Sequence, residues 1–291
     1  LQPASISLFG ECEYTLSKYP CDAIGSPAND GLPEYDVSVK RGDPFNPETI
    51  MTTAVRVPGI GAIIITGSGA MSLSQSFGPG NSNAPKMPIR IPTTLQDGTT
   101  IRASHLASVP GFEINLFASG VTVSWHEPGV VTVTVPDKYK DLACGLCKKP
   151  ETAQVDFPAA LQSGESAPCL EAQKPVIDYC STNPVAANSA KDFCSVFDRM
   201  YNQPKFRDCF DVVEPKPFYD ACVSDICYAG AVANGCAPSL IAYAAACAQN
   251  GVENIGEVVD TCDVCLGDGS SCAINDENDL TAGTEHGYCQ M

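Results

Sequence analysis

Two cysteines separated by two residues are the first candidates for chemistry in this sequence. Cys144-Gly-Leu-Cys147 has the spacing of a thiol-exchange centre or of one half of a zinc site. Thiol exchange needs a thiolate of lowered pKa, usually at a helix N-terminus in a βαβ fold, and the flanking sequence does not indicate one. Zinc needs a second pair, and the nearest, Cys262 with Cys265, lies in another segment. We therefore expect structural disulfides here.

Two further segments carry residue types that bind or react. Trp125-His126-Glu127 joins the only tryptophan to a histidine and a carboxylate. Strand alternation puts Trp125 and His126 on opposite faces, so we expect Trp125 in the core and His126 at the surface. Arg41-Gly42-Asp43 is a candidate integrin-type recognition tripeptide, and a plain turn is the alternative. The sequence has no nucleophile-elbow, zincin, Walker or dinucleotide motif, so we expect no enzyme.

The composition indicates the compartment and excludes some partners. Sixteen cysteines with only three histidines do not fit a set of Cys/His zinc sites and would be idle thiols in a reducing cytosol, so we expect a secreted, disulfide-bonded protein. The net charge of −17 repels nucleic-acid phosphates and anionic membrane surfaces. The sequence contains no apolar run of about eighteen residues, so we expect no membrane insertion.

Two halves of different character must position these residues. Apolar and polar residues alternate over 34–40, 54–74 and 112–135, which predicts antiparallel strands and an all-β sandwich of hairpins. Helical periodicity follows over 189–203, with Ser189 as the N-cap, and over 237–251, with Gly251 in the C-terminal stop. The second half is therefore expected to be short helices tied by cysteines.

Three segments together carry a family resemblance. They are FGECEYTL at 9–16, CGLC with the later Asp156-Phe157, and the cysteine, aromatic and proline pattern of 193–252. Their order resembles an extracellular von Willebrand factor type D domain followed by a C8 module. The resemblance implies a type D β sandwich over 1–160, a linker with the first C8 cysteines over 161–188 and the C8 module over 189–256. The tail over 257–291 would be a reduced trypsin-inhibitor-like module, meaning one with fewer cysteines than usual.

The resemblance also implies disulfide partners, residue by residue. Cys147 would pair with a cysteine upstream of the family's first strand, and that strand has no counterpart before Leu1. A sheet without its first strand exposes unpaired backbone groups. We therefore expect that proteolysis of a longer precursor created Leu1, and that another chain or fragment of that precursor supplies the strand and the partner of Cys147. A homo-oligomer is the second candidate for the assembly. The internal pairs that the resemblance implies are Cys12 with Cys169 and Cys21 with Cys144.

Family members often bind calcium in the loop after CGLC. This chain has Lys148 and Lys149 there and keeps only Asp156 of the family's acidic pair. Calcium needs six to eight oxygen ligands, and two lysines oppose a dication. We expect this site to be lost or badly weakened, and we predict no cofactor.

Two functions compete. The first is a secreted, non-enzymatic structural or interaction module, processed from a larger glycoprotein and acting in extracellular assembly or adhesion. The alternative is a small-molecule binder or an oxygenase, because type D domains also occur in secreted ostracod luciferases and lipid-carrying yolk proteins. A pocket for an apolar pigment or lipid would then be lined by Ile63, Ile65, Leu116, Val123 and Val133, although these side chains are also what fills an ordinary core.

Overall fold

The alternating segments of the first half form antiparallel strands, as the sequence predicts. The structure, a computed structural model, describes residues 13–21, 31–40, 52–75, 86–106, 109–127, 129–146, 179–198, 204–229, 238–253, 255, 258, 260, 265 and 266. The strands are β1 (Glu13–Tyr19), β2 (Tyr35–Lys40), β3 (Thr52–Val57), β4 (Gly61–Ile65), β5 (Met71–Ser74), β6 (Lys86–Pro88), β7 (Thr93–Thr94), β8 (Thr100–Leu106), β9 (Val109–Asn115), β10 (Thr122–His126) and β11 (Val130–Thr134).

The strands belong to two sheets that share a hydrophobic core. One sheet has the order β1-β2-β3-β4-β5-β6 and the other β11-β10-β9-β8-β7. Val55 of β3 pairs with Val37 and Ile63 in the first sheet, and all three are buried. Trp125 of β10 pairs with Phe112 in the second sheet, and their rings stack with centroids 5.0 Å apart. These residues of both sheets lie in one core cluster.

The second half is helical. Its helices are α1 (Tyr179–Thr182), α2 (Pro184–Cys194), α3 (Lys216–Ala229) and α4 (Pro238–Gln249). The predicted N-cap Ser189 is wrong, because α2 begins earlier and the Asn183 side chain accepts hydrogen bonds from the N–H groups of Val185 and Ala186. The predicted stop of α4 is confirmed, since Gly251 follows it with φ +81°. Among the described helices, none has the length and apolar character needed to cross a bilayer.

Three disulfides between described residues cross-link this half. They join Cys180 to Cys227, Cys194 to Cys222 and Cys209 to Cys247. The helical half has its own core, and that core includes Val109 and Val130 from the second sheet. The helices therefore pack against the end of the sheet formed by the β8–β9 and β10–β11 turns.

Candidate functional site

Cys144, Gly145 and Leu146 of the CGLC motif lie against the outer edge of β1. The N–H of Lys18 donates to the carbonyl oxygen of Cys144 at 2.9 Å, and the N–H of Cys144 donates to the Lys18 oxygen at 3.0 Å. The N–H of Leu146 adds a third bond to the Thr15 oxygen at 3.0 Å. This edge of the sheet is therefore paired, over part of its length, by the chain's own segment.

The glycine of the motif is required by this contact. Gly145 has φ +121°, and a Cβ at this position would stand 2.4 Å from the carbonyl oxygen of Leu16. Only a residue without Cβ allows the two backbones to approach so closely. Upstream, the buried ring of Tyr139 packs against Tyr19 and Tyr35, with centroids 5.2 and 5.3 Å away, and so holds the segment between β11 and the motif.

The cysteines that the resemblance pairs, Cys21 and Cys144, both belong to this junction. The Cys21 Sγ donates to the carbonyl oxygen of Leu142 at 3.3 Å, and the Cys144 Sγ lies 3.8 Å from the oxygen of Lys18. Their disulfide stays a prediction. The remaining predicted site residues lie outside the described part of the chain: Cys12, Arg41, Gly42, Asp43, Cys147, Lys148, Lys149, Asp156 and Cys169.

Sequence reasoning missed a group of charged and polar side chains, Glu13, Asp36, Ser38 and Arg56, which we call the β1–β3 polar cluster. Arg56 on β3 reaches across β2 and donates to Glu13 Oε1 at 2.5 Å and to Ser38 Oγ at 2.6 Å. Ser38 donates in turn to Glu13, and the Asp36 carboxylate lies 3.8 Å from Arg56 Nη1. The cluster therefore ties the edge strand β1 to β3.

The cluster is shielded from water. Only 9% of the Arg56 side chain and 11% of the Asp36 side chain is exposed, and Asp36 Oδ1 is buried without a hydrogen-bond partner. Burial raises the pKa of Asp36 above its usual 3.8, while the positive charges of Arg56 and Lys18 oppose the rise. Each polar residue alternates with apolar neighbours in the sequence. That signal marks one face of a strand but does not say which strands meet.

His126 is buried, and the prediction that it lies at the surface is wrong. It occupies the face opposite Trp125, as alternation predicts, but is only 4% exposed. The adjacent Val130 belongs to the helical core, so the helices cover this end of the sheet. Both ring nitrogens are buried without a hydrogen-bond partner. Burial lowers the pKa of His126 below 6.5, the neighbouring His105 lowers it further, and Glu113 opposes the change.

Aromatic rings and disulfides fill the helical core. The Tyr243 ring meets Phe206 edge-on at 5.0 Å and Phe197 at 5.3 Å, and the Tyr243 hydroxyl donates to the Val213 oxygen at 2.9 Å. Two of the disulfides between described residues, Cys194–Cys222 and Cys209–Cys247, have all four cysteines fully buried. This is the construction of a small domain that depends on cross-links as well as on apolar burial.

The side chains proposed to line an apolar pocket lie in or against the core of the sheets. Ile63, Ile65, Leu116 and Val123 are at most 1% exposed, and Val133 packs against the same cluster while half-buried. They therefore have the packing of core side chains. The described residues include no group of three or more His, Cys, Asp and Glu side chains placed to hold a metal ion.

Comparison with known sequences identifies one part of the chain directly. The sequence model of the C8 domain family matches residues 193–265. This confirms the predicted C8 module. The match contains Cys194, Cys209, Cys222 and Cys247, the cysteines of the two buried disulfides.

The chain is also similar to parts of much longer proteins. It is 28% identical to bovine von Willebrand factor over 56% of this chain, and 30% identical to human Mucin-5B over 49%. It is 25% identical to human IgGFc-binding protein over 84% of this chain. The chain spans 18%, 3% and 4% of the lengths of these relatives, respectively. It therefore contains a C8 domain and is similar, over about half of its length or more, to von Willebrand factor and mucins.

Proposed function

We propose that this chain is a secreted, non-enzymatic interaction module that acts in extracellular assembly or adhesion. The observation that carries the proposal is the C8 domain, which is cross-linked by buried disulfides and packs against the end of an antiparallel sheet. The sequence motifs that precede the C8 domain resemble those of a type D domain. The similarity to von Willebrand factor and mucins supports the same conclusion. Disulfides of this density persist in oxidising compartments outside the cytosol.

The finer parts of the proposal rest on the sequence resemblance. In it, the two sheets form a type D sandwich, and the tail after the C8 domain is a trypsin-inhibitor-like module with few cysteines. Another polypeptide adds a strand to this sandwich and supplies a disulfide partner for Cys147. Its assembly is heteromeric or homo-oligomeric.

Size-exclusion chromatography with light scattering tests the proposal on protein secreted from its own precursor. A complex heavier than the 30.6 kDa chain is expected under native, non-reducing conditions. Reduction should reduce the mass of the complex toward that of the single chain if a disulfide joins the fragments. A secreted chain that runs as a lone monomer before reduction would contradict the proposal.

A further inference from the structure

The backbone hydrogen bonds of β10 determine which groups of its neighbour β11 face away from the sheet. Glu127 N–H donates to the Pro110 oxygen at 3.2 Å, and Leu116 N–H donates to the Val121 oxygen at 2.9 Å. Odd-numbered residues of β10 therefore bond to β9, and even-numbered residues bond to β11.

On β11 the same alternation holds. Thr132, which pairs with Ser124, bonds inward to β10. The N–H and C=O groups of Val131 and Val133 consequently point outward, away from β10.

These outward groups form an open edge. In the part of the chain that the structure describes, no hydrogen bond is made by the outward backbone groups of Val131 and Val133. The other sheet edges differ: β1 is paired by the CGLC segment, β7 has only two residues, and β6 carries Lys86 and Pro88. Lysine and proline are the residues that protect an exposed edge from unwanted pairing.

Among the described residues, the β11 strand carries no such protection. Val130–Thr134 contains no charged residue and no proline, and valine alternates with threonine over residues 131–135. The side chains of Val131 and Val133 face the core but are only half-buried, whereas their partners Trp125 and Val123 are at most 4% exposed. The described part of the chain therefore covers the core incompletely beyond β11.

We propose that the outer edge of β11 is a strand-addition site that binds an extended segment of another polypeptide. Main-chain hydrogen bonds to Val131 and Val133 would set its register, and apolar side chains at alternate positions would cover the half-buried valines. The segment is neutral or basic, because the chain carries a net charge of −17. This inference gives the proposed partner strand its place in the fold and rests on that part of the proposed function.

A second copy of this chain fits the edge less well. Two copies would bring together like net charges of −17. An edge of five residues is about 17 Å long, and pairing two such edges alone would bury far less than the ~1,200 Å² of a stable interface. A separate strand can instead place its side chains over the open core.

Amide hydrogen exchange with a peptide probe tests the site. The probe is a short synthetic peptide in which valine alternates with threonine between terminal lysines, and its control carries a central proline. The amides of Val131 and Val133 should exchange at least tenfold faster than that of Thr132 in the chain alone, and at least tenfold more slowly when the probe is added. Unchanged exchange with the probe, or equal protection by the proline peptide, would overturn the proposal.

Two proline variants test which backbone N–H groups of β11 face away from β10. Val133→Pro removes an outward N–H and should fold but bind the probe about tenfold more weakly, whereas Thr132→Pro removes an inward N–H and should unfold at lower denaturant. Equal destabilisation by both variants would contradict the assigned direction. A dimer of the chain that Val133→Pro dissociates would assign the edge to a second copy and refute the separate strand. A heavier complex in size exclusion together with no binding of the probe would refute the β11 site alone, whereas a lone monomer would refute the proposed function, so the two proposals fail separately.

Discussion

Replacing Arg56 with methionine should destabilise the fold far more than the same change at Arg102. Both arginines pair with a glutamate on another strand, at 2.5 Å for Arg56 with Glu13 and at 2.6 Å for Arg102 with Glu113. They differ in exposure: 9% of the Arg56 side chain is exposed against 69% of the Arg102 side chain. Comparing the Arg56 and Arg102 variants therefore isolates the effect of burial on the free energy of unfolding.

The expected magnitudes follow from what each variant leaves behind. Removing one partner of a buried ion pair costs about 3–5 kcal/mol, because the remaining charge is buried without compensation. Arg56→Met leaves the carboxylates of Glu13 and Asp36 without their positively charged partner and removes a hydrogen-bond donor to Ser38. An exposed pair is worth about 0–1 kcal/mol. We therefore expect a loss of at least about 3 kcal/mol for Arg56→Met and under about 1 kcal/mol for Arg102→Met.

The pH dependence of the stability loss at Arg56 distinguishes the effect of its charge from the effect of its packing. Burial already raises the pKa of Asp36, and the Arg56 charge opposes that rise. Without Arg56 the pKa of Asp36 rises further, so the folded variant binds a proton before the unfolded chain does. Its free energy of unfolding should then recover relative to the wild type as the pH falls through this raised pKa.

Urea unfolding at several pH values, followed by tryptophan fluorescence, measures these quantities, because Trp125 lies in the core cluster shared by the two sheets. Equal losses for Arg56→Met and Arg102→Met would refute the role assigned to burial. A pH-independent loss at Arg56 would show that its packing, and not its charge, is what matters.

Three further predictions concern other parts of the molecule. Because burial lowers the pKa of His126, its contribution to the free energy of unfolding should be complete above pH 6.5 and lost as the pH falls below it, and the His126→Gln variant should lack this slope in pH-dependent urea unfolding. Replacing Cys194 and Cys222 with alanine opens a link between residues 28 apart and should cost roughly 3–4 kcal/mol, measured by denaturation of the helical half. Gly145→Ala should cost roughly 1–3 kcal/mol more than Gly59→Ala in thermal unfolding, because both glycines have positive φ but only the first would clash.

Local patterns in the sequence predicted the elements well where one face of each is buried. Alternation in 112–135 predicted the strands that became β9, β10 and β11, and periodicity with Gly251 predicted α4 and its end. The cysteine and aromatic pattern of 193–252 predicted the C8 domain, which the family match confirms. These signals come from residues close together in the sequence, so one sequence is enough to detect them.

The errors arose where the outcome depends on distant residues. Alternation gave the face of His126 correctly, but only the fold shows that the helices cover that face. The β1–β3 polar cluster needs the strand register, since its members are up to 43 residues apart. The N-cap of α2 was a local error, because Asn183 followed by Pro184 is itself a start signal.

Disulfide mapping of the secreted protein by mass spectrometry shows whether this module is covalently joined to another polypeptide. Cys194–Cys222 and Cys209–Cys247 should be found within the chain, and Cys147 should be linked to a peptide from outside it. The intact mass should then fall on reduction by the mass of the attached fragment. A chain of unchanged mass, with every cysteine paired internally, would contradict the claim that this module is one part of a larger extracellular assembly.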